Sequence, residues 1–110
     1  MYQFISEQSI YQYFGEDDPN LIKSMVQIIL TSNIHDLKEL PQFYESNDFE
    51  TIKKRIHKAK PSMTYIGAKS TSKLIEKIEE NVQDSLALNT QLQSDLSKIE
   101  EELLSFIDTI

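Results

Sequence analysis

From Phe49 to Ile66 the apolar residues Phe49, Ile52, Ile56, Ala59, Met63 and Ile66 succeed one another at steps of three, four, three, four and three. An α-helix turns once in ~3.6 residues, so this rhythm gathers all six side chains on one stripe, which a strand could not do. The same alternation closes the chain in Leu92, Leu96, Ile99, Leu103, Phe106 and Ile110. Only two glycines and three prolines interrupt the 110 residues, and β-branched alternation is absent. A chain patterned in this way is predicted to be all-α.

The remaining segments extend the pattern. Residues 1–14 form a short amphipathic segment with Phe4, Ile5, Ile10, Tyr13 and Phe14 on its apolar side. Gly15 to Pro19 make a turn, in which Asp18 suits the N-cap and Pro19 the first helical position. A long helix is predicted over about 19–44, carrying Ile22, Met25, Val26, Ile29, Leu30, Leu37, Leu40 and Tyr44. Pro41 lacks the N–H of the helical ladder and is expected to kink the last turn or end the helix near Leu40. Ser46, Asn47 and Asp48 form the next turn and cap, and a second long helix covers about 49–67. Gly67 near its end suits a C-cap or a close helix contact. A third helix over about 71–82, capped by Ser70 or Thr71, presents Leu74, Ile75, Ile78 and Val82. Asn81 to Ser85 make a polar connection to a final helix over about 86–109. Four amphipathic helices joined by short links fit one domain, an antiparallel up-down four-helix bundle with a short additional N-terminal helix.

Composition bounds what such a bundle can do. No cysteine is present, so disulfides and thiolate metal sites are excluded. No apolar run approaches the ~20 residues that span a bilayer, and the N-terminus lacks a secretion-signal pattern, so a soluble cytoplasmic protein with no membrane partner is expected. A net charge of −7 argues against nucleic acid as a partner. The charge is unevenly placed. Lys53, Lys54, Arg55, Lys58 and Lys60 hold five of eleven basic residues, and outside that window six basic residues face eighteen acidic ones. The expectation is one positive helix on an acidic body, either a solvated basic face or a patch that steers an acidic partner or an anionic group.

His57, one of two histidines, sits inside this basic window. At 100° per residue it lies about 130° from the centre of the Phe49–Ile66 seam, on the side of the solvent. Lys53, Lys60 and Thr64, at i−4, i+3 and i+7, fall within roughly 60° of it. A neutral imidazole, with a reference pKa of ~6.5, is nucleophilic near neutral pH. Phosphoryl transfer is catalysed mainly by positioning and charge neutralisation, which a lysine one turn away supplies. Pro61 cannot donate to the carbonyl of His57, which reads either as a bend or loss of side-chain bulk that serves the ring or as a neutral kink. His35 lacks a comparable constellation and reads as a surface residue.

The run His57, Lys58-Ala59, Lys60, Pro61, Ser62 and then Gly67-Ala68 resembles the signature of histidine-containing phosphotransfer domains: histidine, two residues, lysine, glycine or proline, a small polar residue, and a later glycine-alanine pair. Phe14-Gly15-Glu16-Asp17-Asp18 resembles the family's N-terminal lead, and Asn47-Asp48 also fits, so that the likeness covers about residues 10–107. One departure is Ile56, where the family often has a small residue. The resemblance implies a four-helix bundle with an exposed histidine midway along the second long helix. It implies that His57 accepts a phosphoryl group from a receiver-domain aspartyl phosphate and passes it to another receiver, with Lys60 contacting the phosphoryl oxygens. Lys53, Lys58, Pro61, Ser62, Thr64 and Gly67 then make up the docking surface, Ser62 as a supporting hydrogen-bonder and Gly67 as a site of close packing. The partners implied are receiver domains of response regulators or hybrid histidine kinases. They would bring the divalent metal, leaving this chain a monomeric phosphocarrier with no cofactor of its own.

Two other readings compete. A non-catalytic helical protein–protein interaction module would use His57 as an ordinary surface residue. A di-iron enzyme would need Glu-x-x-His pairs, whereas Ser32 and Lys54 precede His35 and His57 by three. Glu79-Glu80 and Glu100-Glu101-Glu102 read as solvated helix faces.

Overall fold

Side-chain caps divide the chain. In the computed structural model, which describes residues 2–110, Ser6 Oγ accepts the Ser9 N–H, Asp18 Oδ1 the Leu21 N–H and Asp48 Oδ1 the Thr51 N–H. Each cap satisfies one of the amides that a helix start leaves without a partner. They open α1 (Glu7–Phe14), α2 (Pro19–Ile29, with proline in its first turn) and α5 (Phe49–Tyr65). Between α2 and α5 lie a π-helical turn (Leu30–Ile34), α3 (His35–Lys38) and α4 (Leu40–Glu45). α6 (Lys69–Glu80), a 3-10 turn (Val82–Asp84) and α7 (Leu86–Thr109) complete the chain. No strand occurs among the described residues. Met1, the first residue of the expected 1–14 segment, lies outside them.

The long helix expected over 19–44 is therefore broken, and its apolar positions explain how. Ile22, Val26 and Ile29 are buried at helical steps, but the next buried residue is Ile34, five positions on. An α-helix would turn Ile34 away from the core. The π-helical turn absorbs the extra residue and returns Ile34, Leu37 and Leu40 to the buried side. Thr31 and Ser32 sit in that turn and donate their hydroxyls to the carbonyls of Gln27 and Ile28, both at 2.9 Å. The second interruption falls at Glu39, just ahead of Pro41, which occupies the first turn of α4.

α5 packs chiefly on α6; α6 packs also on α7, and α7 also on α2; α3 and α4 lie against α5. The molecule measures 44 × 20 × 19 Å, and the 24 residues of α7, about 36 Å of helix, run most of its length. Ile52, Ile56, Ala59, Met63 and Ile66 of the first seam, and Leu92, Leu96, Ile99, Leu103 and Phe106 of the last, are all buried. Each Ile, Leu, Met or Phe side chain among them contributes ~1.5–3 kcal/mol when taken out of water. Two buried polar contacts fix the register of the helices. Thr71 donates to Asp95 across α6 and α7 at 3.2 Å, and Tyr44 Oη meets Ser85 Oγ at 2.6 Å. Thr71 and Ser70 are thus inside α6; its N-cap is Ala68, with no side-chain cap.

The amphipathic N-terminal segment is helical only from Glu7. Ahead of it, the N–H groups of Gln3, Phe4 and Ile5 all donate to the Glu102 carboxylate at 2.9–3.1 Å. Ser6 N–H donates to the carbonyl of Ile66 at the end of α5. Glu102 is accordingly an anchor and not a solvated face, whereas Glu100 stays near solvent in a surface ion pair with Lys38 Nζ at 3.1 Å. Among the described residues no helix is long and apolar enough to cross a membrane.

Candidate functional site

The position of His57 follows from the seam beneath it. Ile56 and Ala59 are held in the core, which leaves the intervening His57 pointing outward with 78% of its side chain exposed. What faces it comes from α6, through the turn that joins the two helices. Gly67 adopts a left-handed φ of 71°, its N–H donates to Thr64 O, and Ala68 N–H donates to Met63 O. This pair of bonds is the Schellman termination, which favours glycine because a Cβ is strained at that φ. The chain then reverses, and α6 runs back along α5. His57 and Glu79 stand eleven residues on either side of Ala68 and arrive at the same level.

Glu79 joins the two basic groups of the site. Its Oε2 lies 3.2 Å from His57 Nδ1, and its Oε1 accepts from Lys60 Nζ at 2.8 Å. The hydrogen bond from Lys60, helped by that from His57, holds the Glu79 carboxyl below the usual carboxylate range; the same contact with Glu79 raises the Lys60 ammonium above the usual lysine range. Glu79 is thus ionised at neutral pH and can only accept, so Nδ1 is the nitrogen that carries the proton. In the neutral ring this leaves the lone pair on Nε2, which has no hydrogen-bond partner among the described residues and faces solvent. An oriented imidazole with one nitrogen committed and the other open is suited to nucleophilic attack.

The basic window resolves into separate roles. Arg55 is only 25% exposed; it donates to Asp36 O at 2.9 Å and Glu39 Oε1 at 2.8 Å and covers the Phe43 ring at 4.6 Å. Lys54 pairs with Glu50 on the surface, and Lys60 is held by Glu79. Lys53 and Lys58 alone of the five have no acidic partner within ion-pair distance among the described residues. The expected five-cation patch is thus reduced to two free charges flanking His57. Lys53 also lines a shallow depression with Glu50, Lys54, His57 and Glu79.

The other sequence candidates divide. Thr64 is exposed, one turn beyond Lys60, and its hydroxyl approaches Lys60 O at 3.4 Å. Pro61 is exposed on an uninterrupted α5. Ser62 does not fit a docking surface: it is buried and donates to Asn33 Oδ1 at 2.6 Å. Gly67 is a packing residue, since a Cβ there would stand 2.5 Å from Ser6 Cβ and 2.8 Å from Ser9 Oγ of the segment crossing above it. His35 lies on the surface, 3.6 Å from Glu39. Among the described residues no three histidine or carboxylate side chains converge as a metal site.

Glu79 is the site residue that sequence reasoning missed, by assigning it to a solvated face. The available signal was its distance from the Gly67-Ala68 turn, which equals that of His57. No protein-family model, curated protein or solved structure matches this chain.

Proposed function

We propose that this protein is a histidine phosphotransfer protein of a phosphorelay. The broken rod Pro19–Glu45 and helices α5, α6 and α7 are read as an antiparallel up-down four-helix bundle, with α1 as the additional helix. His57 takes a phosphoryl group from an aspartyl phosphate on a receiver domain and hands it to another. The observation that carries this reading is the exposed ring whose Nδ1 is engaged by Glu79 while Nε2 stays open, beside a lysine one turn away.

The step is simple in electrons. The Nε2 lone pair forms the bond to phosphorus, the phosphorus–oxygen bond of the acyl phosphate breaks, and its pair leaves on the aspartate carboxylate. The imidazole becomes cationic, with its proton on Nδ1 beside the Glu79 carboxylate. The receiver supplies the divalent ion, and Lys60 neutralises phosphoryl charge. The partners on this reading are receiver domains of response regulators or hybrid histidine kinases, met in the cytoplasm by a monomer.

Incubation with phosphorylated receiver domains tests the proposal. Acid-labile phosphate should appear on the chain and be lost in His57→Gln. A chain that takes no label from several such receivers is better read as a helical protein–protein interaction module.

A further inference from the structure

We infer that Glu79 makes His57 a short-lived phosphoryl carrier, by competing with the phosphoryl group for Lys60; the inference rests on the phosphotransfer reading above. Lys60 Nζ is 2.8 Å from Glu79 Oε1, and the other oxygen of the same carboxylate is 3.2 Å from the imidazole. A phosphoryl dianion on Nε2 would share one nearby ammonium with a carboxylate that already holds it. The remaining free cations, Lys53 and Lys58, stand on exposed stems and are well hydrated.

Glu79 acts in the same direction on the leaving group. When phosphate departs, the phosphorus–Nε2 bond breaks, its electron pair returns to Nε2, and phosphorus bonds to an oxygen of the receiver aspartate or of water. Because Nδ1 keeps its proton against Glu79, the ring leaves as neutral imidazole and no further proton has to be found. Withheld charge and an easy departure both favour onward transfer over storage. Glu79 is partly exposed at the penultimate position of α6, and it is Ile75 and Ile78 of that helix that fill the core. Its charge can therefore be removed without a cavity.

Phosphoramidate, which labels histidine without a protein partner, allows the test on the full chain. The phosphohistidine is followed by phosphorus NMR at neutral pH in wild type, Glu79→Gln, Lys60→Met and the double variant. Glu79→Gln should prolong the lifetime by up to about fivefold, the scale of one partly exposed ion pair. In the Lys60→Met background the same change should prolong it clearly less, because no ammonium is left to release; a role confined to holding α6 in place would not depend on Lys60. An unchanged or shorter lifetime in Glu79→Gln, or a gain undiminished without Lys60, overturns the inference. A wild type that is labelled by phosphoramidate but by no receiver refutes the phosphorelay and leaves the lifetime comparison standing. Failure of phosphoramidate to label His57 overturns both.

Discussion

His57 Nδ1 and Glu79 Oε2 meet at 3.2 Å across two helices, from positions equally distant from Ala68. The contact is made by the α5–α6 reversal, so anything that alters that turn changes the chemistry of the ring. Lys60 shares the same carboxylate, which ties imidazole and ammonium into one unit.

Lys60→Ala should leave the protein folded and His57 still able to accept phosphate. The rate of acceptance from a phosphorylated receiver should fall by about a hundredfold, the scale of losing one positioned group at developing charge. The melting temperature should move by no more than ~2 °C, as for a surface substitution. A collapse of helicity in this variant would show that Lys60 is a structural residue.

The Glu79–Lys60 pair has a defined pH window. The carboxyl of Glu79 is held below its ordinary range by Lys60, so its contribution is present above the unfolded carboxylate pKa and is lost as pH falls through the folded value. Lys60 is raised by Glu79, so its contribution is complete below the unfolded lysine pKa and is lost as pH rises through the folded one. The melting difference between wild type and Glu79→Gln should be small and flat through neutrality. It should vanish in acid and shrink in salt, because both groups are near solvent. Thermal melts across pH and ionic strength check this.

Gly67→Ala places a Cβ at a left-handed φ and within 3 Å of Ser6 and Ser9. Strain and contact together should destabilise the fold by about 2 kcal/mol. The melting temperature should drop by roughly 10 °C, and α1 should detach first, seen as faster amide exchange at Ser9 and Ile10.

Deleting Thr31 should be tolerated. It shortens the step from Ile29 to Ile34 from five residues to four, so the π-helical turn becomes α-helical and both flanking seams keep their faces. Deleting Ser97, between Leu96 and Ile99 of the unbroken α7, should turn Ile99, Leu103 and Phe106 out of the core and prevent folding. Circular dichroism and thermal melts separate the two outcomes.

Replacing Lys53 and Lys58 together by glutamine should slow association with an acidic receiver surface and flatten its salt dependence, leaving stability unchanged. Arg55→Gln should do the reverse, because Arg55 bonds Asp36 and Glu39 over the Phe43 ring and is not free to steer a partner. Association kinetics at two ionic strengths, with melts of the same variants, test this division.

Much of the scaffold was legible before any coordinates. The steps of three and four in Phe49–Ile66 turned Ile56 and Ala59 inward and His57 outward, and Asp18 and Asp48 marked two helix starts. These are properties of one helix at a time, set by 3.6-residue geometry and by capping chemistry, so neighbours in sequence suffice to determine them. Glu79, Ser62, Arg55 and the π-helical turn were not legible in the same way. A glutamate on an exposed helix face, a serine after a proline and an arginine among lysines look alike whether solvated or engaged. What distinguishes them is the partner that another helix brings: Glu79 to His57 and Lys60, Asn33 to Ser62, Asp36 and Glu39 to Arg55. Local periodicity therefore determined which apolar residues of the Phe49–Ile66 helix turn inward and that His57 faces water. Only the packing of one helix on the next, with its register set at Gly67-Ala68 and its extra residue absorbed near Thr31, decided which charge stands beside the imidazole.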